Sequence, residues 1–196
     1  MNTQKITIDA VPLLSSINSY ADFRCSVEMI DDFLLRQAEC SDKQYKTQTT
    51  TFWIHEKLVG YYTSHASVLT LKAPDVAKLK ASGIELTDNV MSNDITVPTV
   101  SLAYFAVDKD YQQKGIGTAL LHYFLTETAF LYLNDGLGFV GVTLSALPNA
   151  VEFYQKFGFE IFGNVDYDEG PVLREYSMFI NVPVILDLES SRFALK

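Results

Sequence analysis

Gln112-Gln113-Lys114-Gly115-Ile116-Gly117 stands between an apolar, β-rich run, Val100-Ser101-Leu102-Ala103-Tyr104-Phe105-Ala106-Val107, and a helical run over 118–132. The first run reads as a buried strand. The second has apolar residues on all sides of a helical wheel and reads as a largely buried helix. A glycine-bearing loop that opens a helix is where backbone can grip a phosphate. The first N–H groups of the helix lack internal partners, and its dipole favours an anion there. Glycines at 115 and 117 remove the side chains that would block close approach of a ligand to the backbone.

Upstream of the loop, Lys5-Ile6-Thr7-Ile8 alternates and predicts a short first strand. Ser26 is placed to cap a helix whose Met29, Ile30, Phe33, Leu34 and Ala38 fall at helical spacing, and 41–48 is polar and loop-like. The runs 49–54 and 58–63 flank His55-Glu56-Lys57, which predicts an antiparallel hairpin. The stretch 71–99 is polar, with Pro74, Gly83 and Pro98, and contains one helix-compatible piece at 75–81. Downstream, 139–144 reads as a buried strand, and 149–157 as a short amphipathic helix closed by Gly158 as C-cap. The runs 160–162 and 176–184 are strand candidates separated by an acidic loop at 166–169.

At 196 residues with 48% hydrophobic content, the chain can bury the core of one ordinary α/β domain, 1–196, with a longer C-terminal region from about 163. The formal charge of −9 argues against broad binding of nucleic acid through a basic surface. Cys25 and Cys40 have no CxxC or Cys/His spacing, so neither a disulfide framework nor a metal site is expected. No apolar stretch reaches the length of a membrane span, and the first residues lack a signal-peptide pattern. A cytoplasmic location without membrane contact is the expectation.

The order strand, Gln-x-x-Gly-x-Gly, helix, strand, then Asn149, Phe153-Tyr154 and Phe157-Gly158-Phe159, resembles the GNAT superfamily of acyl-CoA N-acyltransferases across roughly 49–162. The resemblance implies an α/β (α+β) fold: a central, mostly antiparallel mixed sheet, splayed at the central strand and flanked by helices. A narrower likeness is to the acetyltransferase toxins of toxin-antitoxin operons, which modify aminoacyl-tRNA. It is carried by Phe23-Arg24-Cys25, Leu58-Val59-Gly60-Tyr61-Tyr62, Val97-Pro98 and Ala106-Val107-Asp108. The chain departs from the family pattern in having Gln at 113, where glycine is usual, and in running longer after Phe159.

The resemblance implies acetyl-CoA as acyl donor. Its pantetheine arm would pair with the backbone of Phe105 and Val107. Its pyrophosphate would rest on Gln112, Gln113, Lys114, Gly115, Ile116, Gly117 and Thr118. Tyr154 matches the family's proton donor, and a phenol with a pKa of about 10 is protonated at neutral pH. Asn149 matches a cofactor-contacting position, or is simply the N-cap of its helix.

The central strand has no carboxylate before Asp108 and so offers no evident base. An α-amine, with a pKa of about 8, needs less help losing a proton than lysine at about 10.4, so the strand leans toward a weakly basic acceptor. His55, Glu56, His65 and His122 read as turn, packing or surface residues. The reading is an N-acetyltransferase of a small-molecule or aminoacyl amine. Alternatives are a toxin-like enzyme on aminoacyl-tRNA, which the acidic charge disfavours, and a noncatalytic acyl-CoA-sensing or protein-interaction module. The apolar tail 179–186 is compatible with a homodimer interface, and the toxin likeness with an antitoxin partner.

Overall fold

The computed structural model describes residues 7–71, 76, 95–162 and 175–193. Its elements are β1 (Asp9–Pro12), α1 (Glu28–Arg36), α2 (Ala38–Lys43), β2 (Gln48–Ile54), β3 (Lys57–Leu71), β4 (Ile95–Val107) and α3 (Ile116–Leu133). They continue with β5 (Gly141–Ala146), α4 (Val151–Gln155), β6 (Glu160–Ile161), β7 (Tyr176–Asn181) and α5 (Val182–Phe193). The strands follow the order β1-β2-β3-β4-β5-β7-β6 in a seven-stranded sheet, and the pairs β1·β2, β2·β3, β5·β7 and β6·β7 are antiparallel. This is the expected mixed α/β sheet flanked by helices. Residue contacts divide the chain into two compact units, Met1–His65 with Leu102–Phe124, and Ala66–Ser101 with Leu125–Lys196.

In the first unit the core gathers Phe23, Phe33, Leu34, Trp53, Leu58 and Tyr61, all buried. Phe33 stacks on Tyr104 with ring centroids 3.6 Å apart, and Phe23 meets Tyr61 edge-on at 5.5 Å. The hairpin forms as expected: Ile54 pairs with Lys57, leaving His55 and Glu56 as the turn, with His55 at φ 55°. Gly60 lies against the end of β4. A Cβ added there would sit 2.7 Å from the Ala106 carbonyl oxygen and would strike Leu120, so only glycine lets β3 approach so closely.

Several expectations in this unit are corrected. Of the strand expected over 5–8, Lys5 and Ile6 lie outside the described residues and Thr7 and Ile8 precede the first described strand, Asp9–Pro12; its proline is tolerated because β1 is an edge strand, paired with β2. Ser26 does not cap α1: it has φ 75°, and Val27 precedes the helix without any side-chain cap. The helix also ends at Arg36, and Ala38 opens α2. The polar stretch 41–48 is loop only in part. Its first residues finish α2, where buried Asp42 accepts from the Thr47 hydroxyl at 2.7 Å and the Thr49 N–H at 2.9 Å, so their polarity serves a bonded network.

In the second unit, β5 and β7 pair over six residues, from Gly141↔Asn181 to Ala146↔Tyr176, and Leu71, Val97, Phe162 and Phe179 pack together. The strand expected over 176–184 stops at Asn181, and the apolar tail 179–186 is strand up to Asn181 and helix from Val182. Asn181 Oδ1 accepts the Val184 N–H at 2.8 Å and so caps α5, with Pro183 in its first turn where a missing N–H costs nothing. The strand expected over 139–144 runs Gly141–Ala146. The helix-compatible piece 75–81 lies outside the described residues except for Val76, as does the acidic loop 166–169.

α3 is not buried all round, although its sequence is apolar on every side. Leu120, Leu121, Phe124 and Leu125 are buried, while Phe130 and Leu133 are exposed.

Candidate active site

The loop before α3 is built on the end of β4. Asp108, only 1% exposed, follows β4 and donates its N–H to the Val59 carbonyl at 2.9 Å. Its Oδ1 accepts the Asp110 N–H at 3.0 Å, capping a short 3-10 turn, and its Oδ2 accepts the Arg24 N–H at 3.3 Å. Both oxygens are thus engaged by backbone, which marks this carboxylate as a structural cap and not as a base. The Lys109 N–H donates to the Arg24 carbonyl at 2.8 Å, binding the same two stretches again.

The chain then turns through two left-handed residues, Gln113 at φ 58° and Gly115 at φ 81°. Gly115 opens α3, its carbonyl accepting the Ala119 N–H at 3.1 Å. Among the described residues, the N–H groups of Gln113, Lys114, Gly115, Ile116, Gly117 and Thr118 donate to no backbone acceptor. Six adjacent free donors at the positive end of an 18-residue helix suit a diphosphate. Lys114 stays on its own loop: Nζ donates to the Asp110 carbonyl at 2.6 Å and sits 5.5 Å from the Tyr111 ring centroid. Its charge adds to the loop's positive field without reaching outward.

The Gln112 amide nitrogen donates to the carbonyls of Val107 and Cys25, each at 3.0 Å. Phe105 and Val107, at the end of β4, are half-buried.

In the second unit, Tyr154 on α4 is buried, with Phe153 at 5.2 Å and Phe159 at 5.7 Å, both edge-on. Burial raises its pKa well above the ordinary phenol value, so the hydroxyl keeps its proton. Gly158 (φ 86°) donates to the Gln155 carbonyl at 3.0 Å, and the Phe159 N–H reaches the Tyr154 carbonyl at 3.3 Å. These two bonds form the left-handed helix end expected of Gly158.

Asn149 lies exposed in the 3-10 turn Pro148–Ala150. The cap position of α4 is Ala150, so the N-cap reading of Asn149 is corrected.

His55 and Glu56 are exposed residues of the hairpin turn, and His65 and His122 are half-buried in β3 and α3. Among the described residues no group of three His, Cys, Asp or Glu side chains could hold a metal ion, and no helix is long and apolar enough to cross a membrane. Sequence reasoning missed Asp108 as the cap that fixes the loop; Asp108-Lys109-Asp110 after a strand is itself a capping signal. The two hydrogen bonds of the Gln112 amide were also missed.

Residues 78–161 match the family model described as an acetyltransferase (GNAT) domain. No curated protein matches the chain in sequence. Among solved structures, the chain is similar to a "bacterial toxin" at 22% identity and TM-score 0.72, covering 94% of this chain and 96% of that one. It is similar to AtaTR bound with AcCoA at 20% identity and TM-score 0.69, covering 93% and 97%. A third similarity is to AtaT complexed with acetyl-methionyl-tRNAfMet, at 19% identity and TM-score 0.69, covering 93% and 99%. At these identities the structures establish the fold. The strand, the phosphate-type loop and the matched sequence agree: residues 78–161 match a GNAT acetyltransferase domain, and the chain shares the fold of these structures.

Proposed function

We propose that the protein transfers an acetyl group from acetyl-CoA to a primary amine. The observation that carries this reading is the run of free N–H groups from Gln113 to Thr118 at the start of α3, within a sequence-matched acetyltransferase domain. These donors hold the pyrophosphate of acetyl-CoA, and the backbone of Phe105 and Val107 pairs with its pantetheine arm. The exposed Asn149 amide is a further cofactor contact.

In the transfer, the neutral amine nitrogen of the acceptor forms a bond to the thioester carbonyl carbon as the carbon–sulfur bond breaks. Tyr154 gives its hydroxyl proton to the departing sulfur, and the acceptor nitrogen loses its extra proton to water. The burial that keeps this phenol protonated also makes the phenolate unfavourable, so the resting side chain carries its proton at the start of each turnover.

β4 carries no carboxylate before Asp108, and Asp108 is committed to the Arg24 and Asp110 N–H groups. With no base there, the reading favours an acceptor that is neutral at modest pH, an α-amine in preference to a lysine side chain. A second reading, the α-amine of an aminoacyl-tRNA, is favoured by the near full-length likeness to AtaT complexed with acetyl-methionyl-tRNAfMet. An antitoxin protein would be its companion, since a similar structure is of a mutant AtaT toxin bound to the C-terminus of the antitoxin AtaR.

A thioester-consumption screen with acetyl-CoA against amino acids, polyamines, peptides and charged tRNA separates these readings. Turnover with small amines supports the first; turnover with charged tRNA alone supports the second. No turnover with any primary amine contradicts both.

A further inference from the structure

The Gln112 side chain faces two acceptors. Its Nε2 lies 3.0 Å from the Val107 carbonyl oxygen, at the end of β4, and 3.0 Å from that of Cys25, 87 positions earlier in the chain. Since both partners are carbonyl oxygens, only the nitrogen end of the amide can face them, and the partners themselves set its orientation. A carboxamide has two N–H donors, and both are used. The remaining polar atom is an oxygen, which repels a phosphate. The side chain therefore has no donor left for the pyrophosphate that the neighbouring backbone is suited to bind.

We propose that Gln112 is a positioning residue that braces the phosphate loop between the end of β4 and the 23–25 stretch, holding the free N–H groups in place before acetyl-CoA arrives. Two further bonds join the same stretches, from the Arg24 N–H to Asp108 Oδ2 and from the Lys109 N–H to the Arg24 carbonyl. The loop and the 23–25 stretch therefore loosen together. This deepens the proposed function and rests on it only for the ligand; the brace is a property of the free protein.

Gln112→Met keeps the length of the side chain and removes both donors. Gln112→Arg keeps donors on separate nitrogens that can still reach two carbonyls. Gln112 is exposed, so neither change empties the core. In the free protein, Gln112→Met is expected to speed amide hydrogen exchange about tenfold in peptides covering both 107–118 and 23–27, the scale of one to two lost hydrogen bonds. Gln112→Arg is expected to restore the slow exchange. In titrations, Gln112→Met weakens acetyl-CoA binding by about the same factor. Faster exchange confined to 107–118 overturns the brace, because the Cys25 end would then carry nothing. Weaker acetyl-CoA binding with unchanged exchange in the free protein also overturns it, since that is the mark of direct ligand contact. Wild-type protein that fails to bind acetyl-CoA sinks the proposed function instead, and leaves the exchange result to decide the brace.

Discussion

Gln113→Gly is expected to stabilise the protein. Gln113 has φ 58°, a left-handed conformation that costs an ordinary L-residue about 1–2 kcal/mol. The side chain is exposed and makes no hydrogen bond among the described residues, so its removal loses no packing. Against this, the greater freedom of glycine in the unfolded chain costs about 0.5–1 kcal/mol. The difference favours glycine by about 0.5–1 kcal/mol, a rise in Tm of roughly 1–4 °C for a chain of this size. The comparison variant is Gly115→Ala, at φ 81°, where an added Cβ meets nothing within 4 Å. Any loss there comes from the backbone alone; the same strain less the same unfolded-chain term leaves a net loss of about 0.5–1 kcal/mol. Thermal denaturation of both variants beside the wild type is the assay. A fall in Tm for Gln113→Gly, or an unchanged Tm for Gly115→Ala, would refute the conformational argument for this loop.

Gly60→Ala should destabilise by about 1–3 kcal/mol in urea unfolding, because its Cβ would lie 2.7 Å from the Ala106 carbonyl oxygen and backbone cannot yield as a side-chain tip can. Tyr154→Phe should lower kcat by about 10²–10⁴ with acetyl-CoA affinity nearly unchanged, measured where chemistry limits turnover; equal turnover would remove the phenol from the acid role. Thiol labelling should modify exposed Cys40 first. Burial, helped by a hydrogen bond with Asp31, pushes the Cys25 thiol from 9.0 up to about 12, so its thiolate is about a thousandfold scarcer near neutral pH. Because the folded pKa of Cys25 is raised, the folded chain holds a proton that the unfolded chain releases. Its contribution to stability is complete below pH 9 and declines as the pH climbs from there toward about 12, visible as a falling urea midpoint that Cys25→Ala should flatten.

The loop and its flanking strand and helix were legible in the sequence because their signals are local: glycines, an apolar β-rich run and a helical run side by side. The hairpin was legible for the same reason. Errors came where a local signal was overridden or went unread. Ser26 has the chemistry of a helix cap, but takes a left-handed conformation and leaves Val27 at the helix entrance. The apolar run 179–186 looks uniform by composition, while Asn181 and Pro183 divide it into strand and helix. The role of Gln112 could not be read locally, because one of its acceptors belongs to Cys25 and only folding brings the two together. The spacing from Gly158 and Phe159 singles out Tyr154 in the sequence, but the burial that raises its pKa depends on tertiary packing.

The central claim is that the N–H groups at the start of α3 bind the pyrophosphate of acetyl-CoA. Calorimetric titration of the wild-type protein with acetyl-CoA tests it most directly, with Gly115→Ala alongside. The account predicts saturable one-to-one binding by the wild type and weaker binding by the variant, whose new Cβ stands in open space beside those donors. No binding at millimolar acetyl-CoA, or equal affinity in the two proteins, would contradict it.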